Sequence, residues 1–79
     1  MLGRHVYRVQ LEGARWTVRK EGEMQPLGDF ALQEEAVAAA GRWAERDQPS
    51  RVVVADGDGA ILDERLFGRD LSQELDAGA

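Results

Sequence analysis

From His5 to Glu12 the side chains alternate, with Tyr7, Val9 and Leu11 on one side and Arg8, Gln10 and Glu12 on the other. A period of two belongs to an extended chain whose successive side chains point to opposite faces, so this stretch reads as a half-buried strand. Gly13 interrupts it, and the alternation resumes in RWTVRKE, with Trp16 and Val18 inward and Arg15, Thr17 and Arg19 outward. Two such runs around a glycine predict a β-hairpin.

After a second turn at Glu21-Gly22-Glu23, residues 24–30 read as an irregular or extended segment containing Pro26 and Gly28. The period then changes. In ALQEEAVAAAGRWAERD, residues Ala36, Val37, Ala40, Trp43, Ala44 and Asp47 share one helical face, and Glu34, Glu35, Arg42, Glu45 and Arg46 lie away from it. This predicts a helix over residues 32–47, closely packed through its alanines and ended by Pro49. Residues 51–56 (RVVVAD) are β-branched and short, Gly57-Asp58-Gly59 is a turn, and residues 60–67 (AILDERLF) form the returning strand of a second hairpin. The expected fold is α+β in the order ββαββ, an antiparallel sheet with one helix packed on one face. Tyr7, Val9, Trp16, Val18, Phe30, Val37, Ala40 and Trp43 are expected in the core. A single domain spans residues 1–68, and residues 69–79 form a polar tail, a short helical turn near 71–75 or disordered.

With 79 residues, one core is the expectation, and self-association is a natural extra source of stability at this size. The chain has no cysteine, so no disulfide or thiolate-ligated zinc can hold it, which suits a cytoplasmic location. No apolar run approaches the roughly 20 residues of a membrane span, and the first residues do not begin a signal peptide. The net charge of −5 is uneven: residues 1–30 are nearly balanced, whereas 31–79 carry five basic and eleven acidic side chains. Such a surface opposes nucleic acid and anionic lipid except near the N-terminal hairpin.

The strand HVYRV, the G-x-x-W-x-V of Gly13, Trp16 and Val18, and Gly22 recur in order with the F-x-x-x-x-E-A of Phe30, Glu35 and Ala36. The V-x-x-x-D-G of Val54, Asp58 and Gly59, then Ile61, completes the pattern. In this the chain resembles the small bacterial proteins of domain-of-unknown-function family 2188, over roughly residues 5–68. The resemblance implies a ββαββ domain and no established activity. It departs at Leu32, where the family usually has Ser or Thr. A hydroxyl there would cap the helix and form a capping box with Glu35; leucine accepts no hydrogen bond, leaving Asp29 as the substitute or the helix start frayed.

No constellation of catalytic residues emerges, and no cofactor or metal is expected. His5 is the single histidine, so neither a histidine triad nor a multi-histidine metal site can be assembled in one chain. Glu34-Glu35 and Asp63-Glu64 are adjacent pairs whose members diverge. Numbered from Asp56, a calcium loop would place Ala60 at position five, Ile61 where glycine belongs and Phe67 where glutamate belongs, so a hairpin turn is the better reading. Trp16 and Trp43 read as core residues joining strand to helix.

Two surfaces remain as candidates. Arg8, Arg15, Arg19 and Lys20 could form a basic sheet face for nucleic acid, and residues 14–44 are loosely similar to the arm-binding domains of phage integrases. The acidic helix and second hairpin depart from that pattern, and interleaved Glu12 and Glu21 favour an ordinary solvated face. In the second hairpin, Val52, Val54, Ile61 and Phe67 point opposite to Val53, Leu62 and Leu66, so both faces are apolar. A sheet with one wet face should not look like this. The leading expectation is therefore a non-catalytic interaction or structural module, a homodimer or binder of a protein partner, with Val53, Leu62 and Leu66 as its interface. The alternative is a nucleic-acid-binding module using the Arg8/Arg19 face.

Overall fold

A computed structural model describes residues 4–68, so the expected tail at 69–79 lies outside the described residues. Strands β1 (His5–Glu12), β2 (Arg15–Lys20) and β3 (Gly28–Phe30) precede helix α1 (Gln33–Arg46). Strands β4 (Ser50–Ala55) and β5 (Ile61–Phe67) follow it. All five strands form one sheet in the order β3-β2-β1-β4-β5.

The fold is α+β with one helix, but the sheet is mixed and not purely antiparallel. β1 pairs antiparallel with β2 and parallel with β4, His5 opposite Ser50 through Gln10 opposite Ala55. The reason is the short strand β3, in the segment expected to be irregular or extended. Phe30 pairs with Trp16 and Gly28 with Val18. This extra reversal makes β3 run parallel to β1. A helix returning from β3 must then deliver β4 parallel to β1 as well. Had the helix followed β2 directly, the same return would have given an antiparallel seam.

The helix covers one face, lying chiefly over β1 and β4 and reaching β2 and β3. Its buried positions are Ala36, Ala39, Ala40 and Ala44, whose small side chains let the helix axis approach the sheet. Ala36, Ala40 and Ala44 meet Tyr7, Val9, Val18, Val52 and Val54 in one cluster, with Trp16, Phe30, Val37, Trp43 and Phe67 packed around it, half-buried. Gly41 faces the Phe67 ring, 3.6 Å from where a Cβ would stand. Leu32 occupies the N-cap position with no side-chain cap, and Asp29, the expected substitute, is bound to Arg15 instead. Helix formation therefore relies on packing of the alanine face.

Both hairpins close on glycines with positive φ, Gly13 at 64° and Gly59 at 87°. In the second, the Asp56 carboxylate accepts the N–H groups of Asp58 (2.9 Å) and Ala60 (3.0 Å), so it serves the turn. One Arg4 guanidinium nitrogen donates to the carbonyls of Ser50, Phe67 and Gly68, tying the start of β4 to the end of β5.

Candidate functional site

Strand alternation puts Arg8, Arg15, Arg19 and Arg51 on the sheet face that α1 leaves open. Each is engaged by a carboxylate: Arg8 with Glu21 at 3.8 Å, Arg15 with Asp29 at 2.7 Å, Arg19 with Glu12 at 3.0 Å and Arg51 with Glu64 at 3.4 Å. The Arg19 hydrogen bond holds the Glu12 carboxyl below its usual range. Lys20 does not join them. Its position in β2 points to the helix side, where its ammonium lies 2.8 Å from Asp47. The candidate nucleic-acid set is thus divided between two faces, and its open-face members sit in an acid-interleaved array.

Beneath that array the open face is small and buried. Val53 is 4% exposed and Thr17 7%, while Ala55 is inaccessible. Val53 stands between Arg8 of β1 and Glu64 of β5 in the pairing register. Aliphatic stems of such long side chains cover apolar surface while their charged ends stay in water. Around Val53 the face opposite the helix is therefore closed, with no second layer among the described residues. Val53, Leu62 and Leu66, expected to form one surface, are separated. Val53 is closed over and Leu66 lies on the open face opposite Arg51. A register shift opposite Val54 and Ala55 breaks the alternation at Leu62, which lines the helix side with Val37.

What stays exposed is β5 itself. Ile61, Leu62 and Leu66 are 56%, 53% and 53% accessible, and among the described residues β5 pairs with β4 alone. Its outer edge presents backbone groups, of which the Glu64 N–H is met by the Asp63 carboxylate at 2.9 Å. Arg65 Nε reaches the other oxygen of Asp63 at 3.3 Å. Between β5 and the first turns of α1 lies an open cleft of about 590 Å³, bordered by Gln33, Glu34, Val37, Leu62, Asp63 and Arg65.

A polar cluster that sequence reasoning missed sits at the C-terminal end of α1. Asp47, the C-cap residue, accepts the Tyr7 hydroxyl at 2.8 Å and the Lys20 ammonium at 2.8 Å, and His5 Nε2 is 3.6 Å away. Tyr7 and Lys20 are register partners, and the ammonium stands 5.7 Å over the phenol ring centre. Hydrogen bonds from Lys20 and then Tyr7 hold the Asp47 carboxyl below its ordinary range. The same contact raises Lys20, and burial, then the Asp47 bond, raises Tyr7. A signal was present: Asp47 lies on the inner stripe of the helix, where a carboxylate needs a partner. The strand register that supplies that partner was not readable.

Among the described residues no three His, Asp or Glu side chains gather as a metal ion would require, and no helix is long and apolar enough to cross a membrane. Residues 4–67 match the family described as "Uncharacterized protein conserved in bacteria (DUF2188)". No curated protein and no solved structure matches the chain.

Proposed function

The chain belongs to this bacterial family, and we propose that it acts as a non-catalytic interaction module of the cytoplasm whose docking element is the edge strand β5. The observation that carries this reading is the exposure of Ile61, Leu62 and Leu66 along an edge that no other strand among the described residues pairs. Sheet edges attract further strands, and proteins commonly blunt them with short strands, proline or inward charge. β5 is seven residues long and proline-free. It carries charge at Asp63, Glu64 and Arg65 and an irregularity at Leu62, yet its apolar residues stay exposed on both sides of that charge. Strand addition at such an edge gains main-chain hydrogen bonds, with alternate side chains supplying selectivity. The non-catalytic part of the reading is supported by the polar cluster, where Tyr7, Lys20 and His5 all converge on the carboxylate of the helix's C-cap residue and so tie helix to sheet.

Affinity purification of tagged protein from its native host, with and without nuclease, tests the reading. The tagged chain should retain a nuclease-resistant protein partner, a second copy included, and a Leu66→Lys variant should lose it. Recovery of the same partners by both, or loss of all partners on nuclease treatment, refutes docking through β5.

A further inference from the structure

The pattern of β5 is complementary to itself. Asp63, Glu64 and Arg65 sit at its middle with Ile61 and Leu62 before them and Leu66 and Phe67 after them. We propose that the occupant of this edge is a second copy of the chain, paired antiparallel about a two-fold axis through Glu64, with Asp63 of each copy facing Arg65 of the other. The inference rests on the reading of β5 as the docking element.

Antiparallel strands related by a two-fold normal to the sheet place directly opposed residues on the same face. Because faces alternate along a strand, the axis must pass through a residue and not between two. Three central registers are then available. An axis through Asp63 brings the two Asp63 carboxylates together and leaves Arg65 opposite the irregular stretch at Ile61 and Leu62. An axis through Arg65 brings the two guanidinium groups together and sets Asp63 against Phe67. An axis through Glu64 forms the Asp63–Arg65 pair twice and leaves the apolar residues Ile61, Leu62, Leu66 and Phe67 flanking it on either side. Its like-charged centre, Glu64 against Glu64, is moderated on each side by Arg51, 3.4 Å from its own Glu64.

The free edge is also prepared for exchange. The Glu64 N–H, bonded at 2.9 Å to the Asp63 side chain, is a donor that the β4 ladder does not use. Asp63 also holds its own Arg65 at 3.3 Å. Pairing moves Asp63 from these partners to the opposing Arg65, and the edge donors turn to opposing carbonyls. Every bond broken within one copy is re-formed across the axis, so the association is weak and follows concentration.

Light scattering and sedimentation over about a hundredfold range of concentration read this directly, since association obeys mass action. The mass should rise from 8.7 kDa toward twice that value. Asp63→Arg and Arg65→Asp, each alone, set like charges opposite one another twice and should weaken the dimer at least about tenfold. The double exchange Asp63→Arg/Arg65→Asp should restore it. An equimolar mixture of the two single variants should also dimerise, because every facing pair is then of opposite sign. In the unaltered protein, protection of the Glu64 amide from hydrogen exchange should rise with concentration, a readout that needs no variant. A mass fixed at the monomer value overturns the second copy while leaving a different partner at β5 open to the purification experiment. A dimer that ignores all three charge exchanges, or a Glu64 amide whose protection does not change, overturns the register.

Discussion

Removing the Tyr7 hydroxyl asks whether the cluster at Asp47 is a clasp holding helix to sheet. Tyr7→Phe keeps the ring, which is 5% exposed, and deletes a donor 2.8 Å from the carboxylate. Exposed charge pairs contribute about 0.2–1 kcal/mol, and buried hydrogen bonds to charged groups about 1.5–3 kcal/mol. The phenol is buried, while the Asp47 side chain is 30% accessible. The expected loss therefore lies between those limits, about 1–1.5 kcal/mol. In a domain of this size that lowers the melting temperature by about 4–12 °C. Urea unfolding of Tyr7→Phe, Asp47→Ala and the double variant isolates the pair, with a coupling energy of about 1 kcal/mol expected. The pH dependence carries the same sign information. Asp47 is lowered in the folded state, so its contribution is complete above the ordinary aspartate range and disappears as pH falls through its lower folded value. Lys20 and Tyr7 are raised, so their contributions are complete below their ordinary values and disappear as pH climbs through the folded ones. Asp47→Ala should flatten both arms of the stability profile. A coupling within about 0.3 kcal/mol of zero, the usual error of additivity, together with unchanged acid and alkaline arms, refutes the clasp.

Gly41→Ala should stabilise the protein by about 0.5–1 kcal/mol, because the helix interior favours alanine and the added Cβ makes an ordinary 3.6 Å contact with Phe67; a lowered melting temperature contradicts this. Val53→Lys should lower stability by at least about 2 kcal/mol in urea, since the position is 4% exposed; an unchanged midpoint would mean the flanking stems do not close it. Generic duplex DNA should not bind at physiological salt with a dissociation constant below about a micromolar. A tighter, steeply salt-dependent anisotropy signal would instead revive the arginine face.

Much of the architecture was legible because local periods were unambiguous. Tyr7, Val9 and Val18 alternate into the core, Ala36, Ala40 and Ala44 repeat at helical spacing, and Asp-Gly marks the second turn. β3 was not legible because three residues are too few to show a period, and with it went the direction of the β1–β4 seam. The open face failed for a related reason. The triplet Val52-Val53-Val54 shows apolar residues on both faces, but that Arg8 and Glu64 flank Val53 depends on strand order. The place of Leu62 turned on a register irregularity that no residue type announces. The exposed apolar character of Leu62 and Leu66 was readable, whereas the edge position of β5 was not.

The parallel seam also shapes how the chain reaches its fold. The first hairpin closes across two turn residues, Gly13 and Ala14, and the second across the five residues 56–60, so both sets of contacts are local. His5 meets Ser50 only after β2, β3 and α1 have been laid between them. The entropy of closing that long intervening loop must be overcome before the central contacts can form. Closure of the seam is then the barrier. In stopped-flow experiments Val54→Ala, at the seam, should chiefly slow folding, whereas Leu66→Ala, on the strand added outside it, should chiefly speed unfolding. Equal effects on both limbs would place the barrier elsewhere. On this account β5 is the last strand to gain protection and the first to lose it, so the element that meets partners is also the one that opens most readily.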